Sequence, residues 1–92
     1  KSKQFALRVT ERGYDPAVLT VRAGDATQIH ITAADGDYDF SLPYSGLYQF
    51  VPRGETKQIT FRETTAGTFR FSCRDRCPSG QTIEGSLIVL PE

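Results

Sequence analysis

The chain has 92 residues, eleven basic and eleven acidic side chains, no methionine, no tryptophan and one histidine, His30. That length makes one domain over residues 1–92, with a single core burying about two-thirds of the unfolded surface. The balanced charge argues against a nucleic-acid-binding domain, which ordinarily shows a basic excess, and no apolar run approaches the ~18 residues of a membrane span.

No signal peptide is visible at Lys1, as expected of a mature exported chain or of a domain belonging to a larger protein. The single histidine restricts metal chemistry from the outset, because imidazole is the commonest protein metal ligand. Two cysteines, Cys73 and Cys77, suit an oxidising compartment, but their count alone does not separate a disulfide from a dithiol.

In chain order, Gln4 to Thr10 alternates through Phe5, Leu7 and Val9, the period of a half-buried strand. Gly13-Tyr14-Asp15-Pro16 breaks it and reads as a turn or an edge, since Pro16 has no N–H for a ladder. Leu19 and Val21 resume the alternation, and Ala23-Gly24-Asp25 turns the chain into Thr27 to Thr32, with Ile29 and Ile31 on one face. His30 then falls on the opposite face and reads as a surface residue. Asp35, Asp37 and Asp39 form an acidic turn, but Phe40 and Gly46 stand where a calcium loop needs its glycine and its bidentate glutamate. Tyr38 to Pro43 is a short strand ended by proline. Tyr44 to Arg53 reads as an aromatic loop. Lys57 to Arg62 alternates through Ile59 and Phe61, and Phe69 and Phe71 lead to Cys73. Ser86 to Leu90 is the last strand.

No segment shows a helical period. Short strands separated by Gly, Pro and Asp turns imply an all-β sandwich or barrel. The alternating positions predict a core of Phe5, Leu7, Val9, Leu19, Val21, Ile29, Ile31, Phe40, Ile59, Phe61, Phe69, Phe71, Leu87 and Val89.

Several spaced segments then combine. Leu19 to Asp25, Asp35 to Pro43, Val51 to Gly54, Gly67 to Cys73 and Gly85 to Val89 follow one another as in the cupredoxins. Over nearly its whole length the chain resembles the dinuclear-copper (CuA) domain of cytochrome c oxidase subunit II and nitrous oxide reductase. The resemblance implies a cupredoxin-like Greek-key β-sandwich. It assigns one ligand histidine to the position of Tyr38, in a segment that Asp35 opens and Pro43 closes, with Asp39 at a hydroxyl position. It assigns two bridging thiolates to Cys73 and Cys77, a backbone carbonyl ligand to Asp75, a second histidine to Gln81 and a methionine to Glu84. Both cysteines are present, while both histidines and the methionine are replaced.

A CuA centre of the family's kind needs an imidazole on each copper, and His30 lies outside both motifs, so no ordinary CuA centre is expected. The blue-copper set of two histidines and one cysteine fails for the same reason. Three states remain open. Cys73 and Cys77 can form a disulfide, worth roughly 2 kcal/mol in the chain-entropy account if the geometry allows it. Their thiolates can hold copper with Asp75, Gln81, Glu84 or Tyr38, or zinc with Glu84. They can also serve as a redox dithiol, with Arg74 and Arg76 lowering a thiol pKa.

The expectation is the first: no cofactor, a Cys73–Cys77 disulfide, and a polar plug. In that plug Tyr38 fills the place of an imidazole and bonds Gln81 or Glu84, and Glu84 pairs with Arg74 or Arg76. The alternative is copper or zinc bound through Cys73 and Cys77. No nucleophile–base constellation is present, so the chain is not expected to be an enzyme. The expected role is that of an accessory domain, periplasmic or otherwise extracytoplasmic. It would meet a protein partner through the docking loop that carries Tyr44, Leu47, Tyr48 and Phe50.

Overall fold

A computed structural model describes residues 2–78 and 82–92. Among the described residues nine strands follow in order: β1 (Ser2–Thr10), β2 (Gly13–Asp15), β3 (Val18–Arg22), β4 (Ala26–Ala33), β5 (Tyr38–Leu42), β6 (Leu47–Val51), β7 (Thr56–Arg62), β8 (Gly67–Ser72) and β9 (Glu84–Leu90). They form a β-sandwich of two mixed sheets, ordered β2-β1-β4-β7 and β3-β9-β8-β5-β6. The first strand of each early pair lies parallel to a later one, β1 with β4 and β3 with β9, while the other ladders are antiparallel. Among the described residues no helix is long and apolar enough to cross a membrane.

The alternation read from the sequence sets the inner faces. Leu7, Val9, Leu19, Val21, Ile29, Ile31, Phe40, Ile59, Phe71, Leu87 and Val89 are buried, and Phe5, Phe61 and Phe69 pack against them half-covered. Tyr14, Ala33, Tyr38, Leu42, Val51 and Ile83 join the core as well. Tyr14 was hidden because the Gly13-to-Pro16 break is itself the short edge strand β2. Its ring meets Phe71 edge-on at 5.1 Å and Phe40 at 6.1 Å, so the edge of one sheet reaches across the core into the other.

The expected loop from Tyr44 to Arg53 needs correction. Pro43–Ser45 form a short 3-10 turn, Gly46 takes a left-handed φ of 68°, and the chain returns as β6, the edge strand beside β5. The left-handed step suits glycine, which lacks a Cβ. It lets Leu42 pair with Leu47 in a tight hairpin. The aromatics of this stretch alternate along a strand, which a high density of tyrosine and a leading proline concealed.

β5 is buried along its whole length. Tyr38, Phe40 and Leu42 point into the core by the period-2 rule, so Asp39 and Ser41 point outward and must be covered from outside.

Gly85 stands opposite Phe71 in the β8–β9 ladder. A Cβ there would lie 2.4 Å from the Phe71 ring and 2.6 Å from the Ala17 carbonyl oxygen. Gly85→Ala should therefore destabilise the domain by about 1–3 kcal/mol through overpacking, seen as a lower denaturation midpoint at unchanged slope.

Glu63 lies buried near the end of β7, and burial raises its carboxyl pKa above the ordinary value. The folded state therefore releases this proton later than the unfolded chain. Its stability contribution is fully present below the unfolded carboxyl pKa of about 4.3 and is lost as pH rises through the folded value. Glu63→Gln should accordingly be more stable than the parent at pH 7 and lose that advantage below about pH 4, which thermal melts across pH would show.

Candidate functional site

Cys73 leaves β8 with its N–H bonded to the Ile83 carbonyl at 3.0 Å, which closes the neck of the loop between β8 and β9. Ile83 is buried beneath it. The sulfurs of Cys73 and Cys77 lie 2.05 Å apart, at disulfide distance, with Cα atoms 5.9 Å apart.

The loop folds back over the outer face of β5 and β6, and Asp39 is the reason. This carboxylate is fully buried. Its Oδ1 accepts the Arg74 N–H at 2.6 Å, and its Oδ2 accepts the N–H groups of Asp75 at 2.8 Å and Arg76 at 2.7 Å. Oδ2 also accepts the Tyr48 hydroxyl at 3.0 Å. Three consecutive backbone donors on one carboxylate form charge-assisted bonds, roughly twice as strong as neutral ones. The backbone of Asp39 is engaged too. Its N–H points to Cys73 Sγ at 3.4 Å, and its carbonyl accepts the Tyr14 hydroxyl at 2.7 Å. Burial, and then the Asp39 charge, raise the Tyr14 hydroxyl well above the ordinary tyrosine pKa, so it remains a donor.

Two cation–π contacts complete the cover. The Arg74 guanidinium lies 4.7 Å over the Tyr48 ring and that of Arg76 lies 4.9 Å over Phe50. Phe50 and Tyr48 stand opposite Asp39 and Ser41 across the β5–β6 ladder, so the arginines rest on the aromatic neighbours of the residue that holds their backbone. Burial, followed by its bond to Asp39, raises the Tyr48 hydroxyl pKa.

Residues 1–89 match the cupredoxin-like domain family. The chain belongs to that family. Among solved structures, the cupredoxin-like domain is similar to the metal-binding domain of the Cu(I)-exporting P-type ATPase CopA of Streptococcus pneumoniae D39, solved with Cu(I). That match has 22% identity and a TM-score of 0.83, and covers 97% of this chain and 86% of that one. It is also similar to the periplasmic domain of cytochrome oxidase subunit II, CoxB, of Bradyrhizobium japonicum, with 20% identity and a TM-score of 0.72 over 80% of this chain and 54% of that one. A third is the mixed-disulfide intermediate between the thioredoxin-like TlpA and cytochrome c oxidase subunit II, with 14% identity and a TM-score of 0.78 over 97% and 82%. At such identities the likeness shows the fold alone. No curated protein matches the chain.

The described residues that the resemblance sets at copper-ligand positions make other contacts. Tyr38 is buried, and its hydroxyl donates to Asp35 Oδ1 at 2.6 Å, while Glu84 is turned elsewhere. Burial, followed by that bond, keeps the hydroxyl protonated far above the ordinary range. Glu84 is exposed and faces Arg70 at 3.8 Å, not Arg74 or Arg76. The exposed Asp75 carboxylate pairs with Arg74 at 3.3 Å. Gln81 lies outside the described residues. His30 bonds Gln28 at 3.0 Å on the outer face of β4, in the other sheet.

The acidic turn is likewise divided among separate tasks. Asp35 Oδ2 accepts the Glu11 N–H at 3.1 Å, Asp37 accepts the Arg53 N–H at 2.9 Å, and Asp39 holds the cysteine loop.

Of the expected docking residues, Tyr44 is 55% exposed and stacks on Phe69 at 4.2 Å. Leu47 packs on the core, and Tyr48 and Phe50 carry the arginines. The sequence offered Asp39 only as part of the acidic turn and at a hydroxyl position; its grip on the cysteine loop was not read there. Its signal was an acidic residue between Tyr38 and Phe40, inside a strand whose alternate positions are apolar.

Asp39→Ala would leave three loop N–H groups without an acceptor. It should cost about 3 kcal/mol, measured by urea unfolding with the disulfide intact.

Proposed function

We propose that this cupredoxin-like domain acts outside the cytoplasm as a copper-free, non-catalytic accessory domain that binds a protein partner, with its cysteine loop closed by a Cys73–Cys77 disulfide. One observation carries the proposal. Two of the side chains that could replace the missing ligands are turned to other partners, Tyr38 to Asp35 and Glu84 to Arg70, while the two sulfurs lie at bonding distance. An oxidising compartment preserves such a bond, and the CoxB domain of similar fold is periplasmic. The exposed Tyr44, stacked on Phe69, and the exposed Tyr48, beneath Arg74 of the cysteine loop, supply the docking face. Subunit II in the mixed disulfide with TlpA supports the view that cysteines on this fold meet protein partners.

A copper-handling role is the second reading. It is favoured by the Cu(I)-bearing CopA domain of similar fold and by the affinity of paired thiolates for Cu(I). The two are separated by counting free thiols and bound copper in the protein isolated from the periplasm of copper-supplemented cells. The expected result is no free thiol and no stoichiometric copper. One or two copper equivalents with a thiolate-to-copper charge-transfer band would overturn the accessory reading and establish the second.

A further inference from the structure

Among the described residues, one group of metal-ligating side chains converges, namely Asp39, Cys73 and Cys77, whose donor atoms all lie within 4.8 Å of one another. The cupredoxin pattern assigns no ligand to Asp39, which stands at a hydroxyl position. The structure places its carboxylate beside both sulfurs and turns Glu84, the carboxylate the sequence offered for zinc, out to Arg70.

We propose that the reduced domain binds one Zn²⁺ through Cys73 Sγ, Cys77 Sγ and Asp39 Oδ1, with water as the fourth donor. This rests on the reading that the pair is a disulfide as isolated.

The donor set matches the cation. Zinc takes thiolate sulfur at about 2.3 Å and carboxylate oxygen at about 2.0 Å in a tetrahedron, so the sulfurs need to part to about 3.8 Å. Asp39 Oδ1 accepts one hydrogen bond, from Arg74, whereas Oδ2 accepts three. A carboxylate oxygen has two lone pairs, which leaves Oδ1 one for a metal while the loop contacts persist. Those contacts hold the cysteine loop in place without the disulfide, so the thiols stay beside the carboxylate after reduction. The three backbone donors and the Arg74 and Arg76 guanidinium groups offset the negative charge of two thiolates and a carboxylate against a divalent ion. Cu(I), a softer ion, is satisfied by the two sulfurs and gains little from a carboxylate. Asp39 is therefore the residue that tilts the site toward zinc.

Two steps open it. A phosphine attacks the disulfide, and water completes the reaction, giving phosphine oxide and two thiols. Zn²⁺ then displaces the two thiol protons, so uptake releases two protons.

The test uses the whole chain, reduced with tris(2-carboxyethyl)phosphine, desalted anaerobically, and titrated with Zn²⁺ and separately with Cu(I) against chromophoric chelators. The expected result is one zinc per chain. Asp39→Asn should weaken zinc by at least about tenfold and leave Cu(I) affinity within a few-fold, and Cys77→Ser should abolish the zinc site. Equal loss of both metals in Asp39→Asn would make Asp39 a purely structural support and overturn the proposal, as would unchanged zinc affinity or no zinc uptake. Should Asp39→Asn not fold, zinc K-edge absorption on the loaded parent decides. Two sulfurs and two oxygens uphold the site, and any other sulfur count overturns it. Free thiols or copper in the untreated protein would count against the disulfide reading instead, so the two failures are distinguishable.

Discussion

The cysteine loop depends on one buried charge. Asp39 points out of the five-stranded sheet, away from the hydrophobic core, into a space that would be wet if nothing covered it. The cover is the loop it grips, through the N–H groups of Arg74, Asp75 and Arg76. Burying an unpaired carboxylate is costly, and here the cost is met by backbone donors that would otherwise lack acceptors in a turn with no ladder of its own. Chain direction, disulfide and arginine placement follow from that grip. With residues 74 to 76 held by their amides, the two cysteines flank the turn and the guanidinium groups fall over Tyr48 and Phe50.

The same residue links the site to the fold. Its carbonyl receives the Tyr14 hydroxyl. Tyr14 comes from the edge of the other sheet and packs its ring against Phe40 and Phe71. The bond spans the sandwich, so the loop is anchored to both layers. A buried tyrosine needs a partner for its hydroxyl, and a β5 carbonyl in the middle of the molecule supplies it. Residues 74–76 are thus held by polar bonds arranged around an apolar core.

The residues that the resemblance sets at ligand positions have other partners in this structure. Tyr38 points into the core, and its hydroxyl belongs to the Asp35 turn. Glu84 opens β9 on the exposed side and meets Arg70 across the ladder. The two sulfurs lie at disulfide distance, and the carboxylate beside them is that of Asp39.

Much of the fold was legible in the sequence, because strand alternation is a local property. Phe5 to Val9, Ile29 with Ile31, and Phe69 with Phe71 announce their faces without reference to the rest of the chain. β2 was legible only as a turn or an edge, and β6 not at all: proline and glycine at their borders break the pattern, and their status as strands comes from the neighbours they pair with. The cysteines and the altered ligand positions were also visible, since they are matters of residue type and spacing. Which carboxylate lies beside the sulfurs was not. Asp39 and Cys73 are separated by 34 positions, and Glu84, nearer in sequence, points away. Residue types determined the inner faces and the thiol pair. Tertiary structure decided the partners, because the direction of a side chain at a loop depends on how distant strands stack, and no local period encodes that.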